Sequence, residues 1–234
     1  MNDNRAIRTL SRRGSARGAV LVALLFAGWL AGCTSAQDEE VRKLQAKSSY
    51  DQAVRNLSDN RLALGMAALK ESIQLDPDNA RYHNTLGLVY LNLGRAVDGQ
   101  AEIQIAIDLD KGNPDYQHNL GIALAQQGHF EDAIVAYKKA LSFPTYTTPE
   151  VAYYNMGEAF IRLRKPQEAE EAFRAAIQLE PVMVAAHYGL GLALSQAGRK
   201  DDAKAAFRQA RDLDPKSPFS ELAKTALKQL GEGG

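Results

Sequence analysis

A repeat of about 34 residues constrains this chain more than any other feature of its sequence. A glycine preceded by Leu or Met recurs at this period, at Gly87, Gly121, Gly157 and Gly191. Two small residues follow each glycine at fixed distances, and a large residue stands between them, at Ile103, Tyr137, Phe173 and Phe207. Small residues let two helices approach closely, and the large side chain fills the gap. Each unit is therefore predicted to be a pair of packed helices in a repeat protein.

Helix-breaking residues divide the chain at the same period. Glycines stand in the middle of units, at Gly94, Gly128 and Gly198, and prolines stand between units, at Pro77, Pro114, Pro181 and Pro215. This pattern resembles the tetratricopeptide repeat over residues 46–215, with a weaker first unit that has Ala53 in place of Gly and Asn60 at the turn. The resemblance implies an all-α superhelix of about five helix-turn-helix repeats, which we place at 41–215. Ser217 and Pro218 can start a C-terminal capping helix over 216–230, and residues 231–234 are predicted to be disordered.

The segment that ends at Cys33 has the organisation of an export signal. Five arginines precede an apolar run over 19–30, and the small residues of Leu30-Ala31-Gly32 precede Cys33, the only cysteine. The run is too short to span a bilayer, which needs roughly 20 apolar residues. We expect cleavage after residue 32 and lipid attachment to Cys33; the alternative is a buried cysteine behind an uncleaved membrane helix. Arg12-Arg13 lacks the apolar residues that a twin-arginine signal would place next.

This leader is similar to the lipobox of bacterial lipoproteins. The resemblance implies a diacylglycerol thioether and an acylated amino terminus on Cys33, with residues 33–40 as a lipidated tether. Thr34 stands where Asp would retain an enterobacterial lipoprotein in the inner membrane. We therefore expect a lipid-anchored protein of the outer membrane that faces the periplasm.

Composition argues against several other functions. Without residues 1–32, 23 basic and 27 acidic residues remain, a formal charge of −4, whereas nucleic-acid binding needs a basic surface. The four histidines stand at scattered repeat positions and are expected on the surface or in a groove, at His83, His118, His129 and His187. Gly189-Leu190-Gly191 belongs to the repeat, not to a dinucleotide loop. We expect no enzyme, no catalytic or metal site, no small-molecule substrate, and no cofactor apart from the acyl chains on Cys33.

A protein-binding groove is the remaining candidate site. In tetratricopeptide repeat proteins the first helix of each repeat lines a concave surface. Carried over to this chain, the family's groove positions include an apolar line, composed of Leu88, Leu91, Ile122, Ala125, Tyr154, Ile161, Tyr188 and Leu192. Such a line suits an amphipathic helix or a strand of a partner, with Tyr154 and Tyr188 as the main contacts. The alternative is that several of these side chains are buried between repeats.

One departure from the period points to a particular family. Two extra residues precede the unit that begins at Glu150, in the segment Phe143 to Pro149. With the lipobox, the repeats and the chain length, this linker resembles the PilF/PilW family of type IV pilus lipoproteins, whose myxobacterial member is Tgl. The resemblance implies a pilotin that binds the secretin PilQ and promotes its outer-membrane localisation and multimerisation, so that pili assemble and drive motility. The alternative is an outer-membrane adaptor lipoprotein that recruits cell-wall enzymes.

Overall fold

The computed structural model describes residues 36–232, and this part of the chain contains helices and turns but no strand. The predicted signal peptide, Cys33 and residues 233–234 lie outside the described residues. The first helix, α1, covers residues 36–58. The others are α2 Leu62–Leu75, α3 Ala80–Asn92, α4 Ala96–Leu109, α5 Pro114–Gln126, α6 Phe130–Leu141, α7 Pro149–Arg162, α8 Pro166–Leu179, α9 Val184–Gln196, α10 Lys200–Leu213 and α11 Pro218–Gln229.

The chain forms two compact units, the first ending at Pro77 and the second beginning at Asp78. In the second unit, α3 to α10 are four helical pairs, and the repeat glycines lie where the two helices of a pair meet. A Cβ added to Gly157 would stand 2.6 Å from the Phe173 ring, and one added to Gly87 would stand 2.6 Å from Ile103. Only glycine allows this approach, since real Cβ atoms do not come so close to a neighbour. The prediction of an all-α tetratricopeptide superhelix is confirmed.

The turns inside the repeats require left-handed backbone. Gly94, Gly128 and Gly198 have φ of +71°, +83° and +78°. Arg164 occupies the same point of its repeat with a φ of +55°. A side chain is disfavoured in this conformation because Cβ crowds the following carbonyl oxygen. Three repeats of the second unit therefore turn on glycine, and one turns on a strained arginine.

The first unit is the helical pair α1 and α2. Ala53 and Leu69 are fully buried in it, and Asn60 forms the turn with a φ of +58°. The helix includes residues 36–40, so the predicted boundary between tether and repeats at residue 41 lies inside α1 instead. Residues 36–45 are exposed, and Glu39 pairs with Lys43 at 2.6 Å one turn later. Such i,i+4 pairs favour helix where packing contributes nothing.

The C-terminal helix α11 covers the last repeat, as predicted. Ser217 Oγ accepts a hydrogen bond from the Phe219 amide, and the side chains of Ala223 and Leu227 are buried against the last pair. Leu222, which lies within the predicted capping helix, is 47% exposed. Beyond α11, Glu232 binds Arg208 through two contacts of 2.9 and 2.6 Å. This ion pair holds Glu232 against α10, and the predicted disorder of residues 233–234 lies outside the described residues.

Candidate protein-binding groove

The inner face of the second unit is formed by the first helices of its repeats. Neighbouring first helices contact one another from α3 through α5, α7 and α9 to α11. Among the described residues no comparable contact joins α4 to α6, α6 to α8 or α8 to α10. Helices that converge on one side and diverge on the other make the converging side concave. We call this side the groove.

Seven of the eight residues of the predicted apolar line are half-buried, so each keeps part of its surface open; they are Leu88, Ile122, Ala125, Tyr154, Ile161, Tyr188 and Leu192. Leu91 differs, because only 4% of its surface is exposed. A Cβ added to Gly99 would stand 2.7 Å from Leu91 Cδ2. Gly99 stands where the three following repeats have alanine, and its missing side chain leaves the space that Leu91 fills. Leu91 is therefore a core residue and does not line the groove.

Two adjoining depressions lie along the groove and share Glu158 and Arg162. One, of about 540 Å³, extends to Ile122 and Ala125 on α5. The other, of about 710 Å³, extends to Ile161 and to Leu192 on α9. Because they share one helix, the two depressions form a continuous surface across three repeats. Its lining mixes aliphatic side chains with amide and charged groups, and the charged groups are concentrated on and beside α7.

Two tyrosines of the groove rest on buried phenylalanines. The ring of Tyr154 lies 5.9 Å from that of Phe173, and the ring of Tyr188 lies 5.6 Å from Phe207 and 5.9 Å from Phe219. These tilted contacts hold the rings in place. Burial raises the pKa of Tyr154 to about 12, and Glu158 adds to this shift. The Tyr154 hydroxyl therefore stays protonated at physiological pH and can donate a hydrogen bond to a partner.

The repeat register adds Leu222 to the groove. It stands one repeat length after Tyr188, which itself stands one repeat length after Tyr154. On α11 it therefore occupies the position of the two tyrosines, and almost half of it is exposed. Sequence reasoning assigned Leu222 to the cap, although the repeat spacing could have identified it. The groove thus continues onto the capping helix.

The other end of the groove is polar. Asn119 Nδ2 donates to Asn84 Oδ1 at 2.9 Å, which links α5 to α3. Asn155 Nδ2 lies 3.3 Å from His118 Nε2 and links α7 to α5 in the same way. In the next repeat Gly189 occupies the position of Asn119 and Asn155, so this position offers no side-chain amide that could link α9 to α7. The groove changes there from hydrogen-bonded amides to tyrosine and aliphatic side chains.

The linker before α7 is fixed to the groove through His118. Tyr146 is buried, and its hydroxyl oxygen lies 2.6 Å from His118 Nδ1. With Asn155 donating to Nε2, the contacts fit a neutral imidazole that donates its Nδ1 proton to Tyr146. Burial lowers the pKa of His118, since the charged form would lose its hydration. The two extra residues of the linker thus allow a tyrosine to reach into the core.

The expectation that the histidines lie on the surface or in a groove is not met at two of the four positions. His118 and His83 are both buried, and His83 Nδ1 lies 2.7 Å from a Glu102 carboxylate oxygen. Each is the centre of a contact between helices. Within residues 36–232 no group of three or more His, Asp or Glu side chains is placed to hold a metal ion. Over the same residues, no helix is both long enough and apolar enough to cross a membrane.

A further depression of about 730 Å³ lies in the first unit, between α1 and α2. Its lining includes both signs of charge, from Arg55, Asp59, Arg61 and Glu71. Arg61 and Asp59 already form an ion pair with each other. This depression also has apolar lining, but it is confined to one helical pair, whereas the groove extends across three repeats and remains the better candidate for binding protein.

Comparison with known proteins supports the repeat assignment. The tetratricopeptide repeat is recognised by sequence at residues 114–143 and 154–218. Protein O-mannosyl-transferase tmtc2 of Xenopus laevis is 36% identical over 62 residues, which are 26% of this chain and 7% of that protein. The chain thus spans only a small part of this curated relative.

Solved structures match over most of the chain. The crystal structure of PilW, described as a widely conserved type IV pilus biogenesis factor, has a TM-score of 0.74 and 19% identity, with 80% of this chain and 87% of that one covered. The structure of pilF of Pseudomonas aeruginosa has a TM-score of 0.70 and 18% identity, with 82% and 86% covered. Further structures match with TM-scores of 0.63 to 0.68. At these identities the matches establish the fold.

Proposed function

We propose that this chain is a lipid-anchored pilotin of the outer membrane, facing the periplasm, that binds the type IV pilus secretin PilQ in its groove. It would promote the outer-membrane localisation and multimerisation of the secretin, on which pilus assembly depends. The lipobox-like sequence at Cys33 supports the anchor. The shared fold with PilW and pilF, together with the linker before α7, supports the pilus context.

The line of partly exposed apolar side chains along the groove is the observation that carries this proposal. It runs through Ile122, Ile161 and Leu192 across three repeats, and the repeat register adds the exposed Leu222. A large apolar surface that a folded protein leaves partly open to water usually serves an interaction. Covering it with a partner segment removes apolar area from water on both molecules, which favours association.

The groove and the anchor have separate tasks in this mechanism. A secretin subunit must cross the periplasm with apolar, self-associating surface that is destined for the membrane or for other subunits. The groove would cover a segment of that surface until assembly. Several acyl chains on Cys33 would hold the complex at the membrane, since one chain alone gives only marginal binding.

Fluorescence can test secretin binding directly. The only tryptophan of the chain is Trp29, in the predicted leader, so a protein starting at Cys33 contains none. A secretin fragment that carries tryptophan would therefore report binding without background. We expect Leu192→Glu with Leu222→Glu to weaken binding at least about tenfold, because a buried carboxylate loses its hydration. Leu179→Glu, at the end of α8 and 50% exposed, is the matched control and should bind normally.

A Cys33→Ser variant tests the anchor. We expect it to bind the secretin fragment normally in solution but to leave cells without secretin multimers and pili. Normal multimers with the unlipidated protein would refute a delivery role. Altered cell shape with normal pili after deletion of the gene would favour the adaptor function instead.

A further inference from the structure

We propose that Glu158 makes the groove selective for a partner segment in which a lysine or arginine is flanked by apolar residues. This inference rests on the proposed use of the groove as a secretin-binding surface, and it adds the chemistry of the bound segment. The carboxylate would bind the basic group, and the aliphatic floor on either side would receive the flanking side chains.

The position of Glu158 is the first support. It lines both depressions of the groove, so it lies at their junction on α7. Ile122 and Ala125 lie on one side of this junction, and Ile161 and Leu192 lie on the other. A side chain bound at the junction would therefore have neighbours that enter apolar surface in both directions.

The second support is that Glu158 has no direct partner. Among residues 36–232 no hydrogen bond or ion pair reaches its carboxylate, although the residue is half-buried. Burial raises its pKa, and the charge of Arg162 only partly offsets this. A carboxylate that has lost hydration without gaining a partner gains more from an added cation than an exposed one does.

The surrounding charges do not cancel this preference. Arg162 and Arg164 line the same surface, but both side chains are exposed, so water and salt screen them. Glu158 is screened less because it is half-buried. An acidic segment would bring like charge onto Glu158, and a purely apolar one would leave the carboxylate covered and unpaired, which costs free energy. A single basic residue between apolar ones avoids both penalties.

Selection from a random peptide library displayed on phage tests the preference without assuming any partner. Purified protein starting at Cys33 should enrich peptides with one Lys or Arg between apolar residues, and Glu158→Gln should not. Changing that Lys or Arg to Gln in an enriched peptide should weaken binding to the unaltered chain about tenfold, the effect of one charge-assisted hydrogen bond, and leave binding to Glu158→Gln nearly unchanged. Glu168→Gln, exposed on α8, is the matched control and should behave as the unaltered chain.

Several outcomes would overturn the inference. These are no enrichment of peptides, enrichment without a basic residue, or an equal effect of the peptide change on both proteins while Glu158→Gln stays folded by circular dichroism. A secretin fragment that binds both proteins equally would also refute the role of Glu158, although the proposed function would survive. Enriched basic peptides without any secretin binding would support the groove chemistry and refute the secretin as partner.

Discussion

Arg164 is the clearest strained position in the described chain. Its φ of +55° places a side chain where the other turns of the second unit have glycine. The conformation costs about 1–2 kcal/mol with a side chain, and glycine returns part of this through its greater freedom in the unfolded state. We therefore expect Arg164→Gly to raise the free energy of unfolding by roughly 0.5–1 kcal/mol in urea denaturation.

The control adds a side chain to an equivalent turn that has glycine, at Gly128. Gly128→Ala should lower the free energy of unfolding by about 1 kcal/mol, since nothing else surrounds the added methyl group. If Arg164→Gly leaves stability unchanged or lowers it, contacts of the arginine outweigh the backbone strain.

His118 makes stability depend on pH in a defined direction. Burial lowers its pKa in the folded state, so the unfolded chain takes up the proton first as the pH falls below about 6.5. Its contribution is complete above that pH and is lost as the pH falls through the lower, folded pKa. Between pH 7 and pH 5 we expect His118→Gln to lose less stability than the unaltered chain does. The control is His129→Gln, at an exposed site, whose melting temperature should fall with pH as steeply as that of the unaltered chain. Equal pH dependence of the melting temperature in all three proteins would contradict this explanation.

These residues also mark where sequence analysis fails. The spacing of small and large residues identified Gly157 and Phe173 as a packed pair because the period constrains them. Leu91 was assigned to the groove by its position alone, and its burial depends on the missing side chain of Gly99. His118 is buried because Tyr146 reaches it from the linker, and no local pattern predicts such a contact.

At the scale of elements, α11 has both a packing face and a groove face. Leu227 is 3% exposed among residues of the last repeat, so Leu227→Ala should cost about 2–4 kcal/mol through lost burial and the cavity left behind. Leu222→Ala, on the same helix, should cost less than about 1 kcal/mol because the side chain is already half in water. Chemical denaturation of both variants compares them directly, and similar losses would mean that Leu222 belongs to the core.

Helix boundaries within the period were largely predictable. Prolines begin α5, α7, α8 and α11, where the missing amide hydrogen breaks no helical bond. The start of the helical region was not predictable, because residues 36–40 show no apolar period. Short-range pairs such as Glu39 with Lys43 favour helix there instead. The placement of Glu232 depends on Arg208, which lies 24 residues earlier in the sequence, on α10.

For the whole molecule, we expect partner binding on one face, the groove formed by the first helices of the repeats. Partly exposed apolar side chains line the groove from Ile122 to Leu192, and the repeat register adds Leu222, whereas Val97 and Val135 are exposed on second helices outside it. The period predicted the existence of this groove. Its polar beginning depends on how the helices pack, whereas its extension onto α11 could have been predicted from the spacing of Tyr154, Tyr188 and Leu222.

Photo-cross-linking in living cells tests the central claim most directly. A photoreactive amino acid would replace Gln126, Gln196 or Leu222 on the groove side, and Val97, Val135 or Leu179 on second helices, in the full-length protein. We predict adducts with the secretin from the three groove positions and none from the other three. Secretin adducts from the second helices, or none from the groove in cells that still assemble pili, would contradict the proposal that the groove binds the secretin.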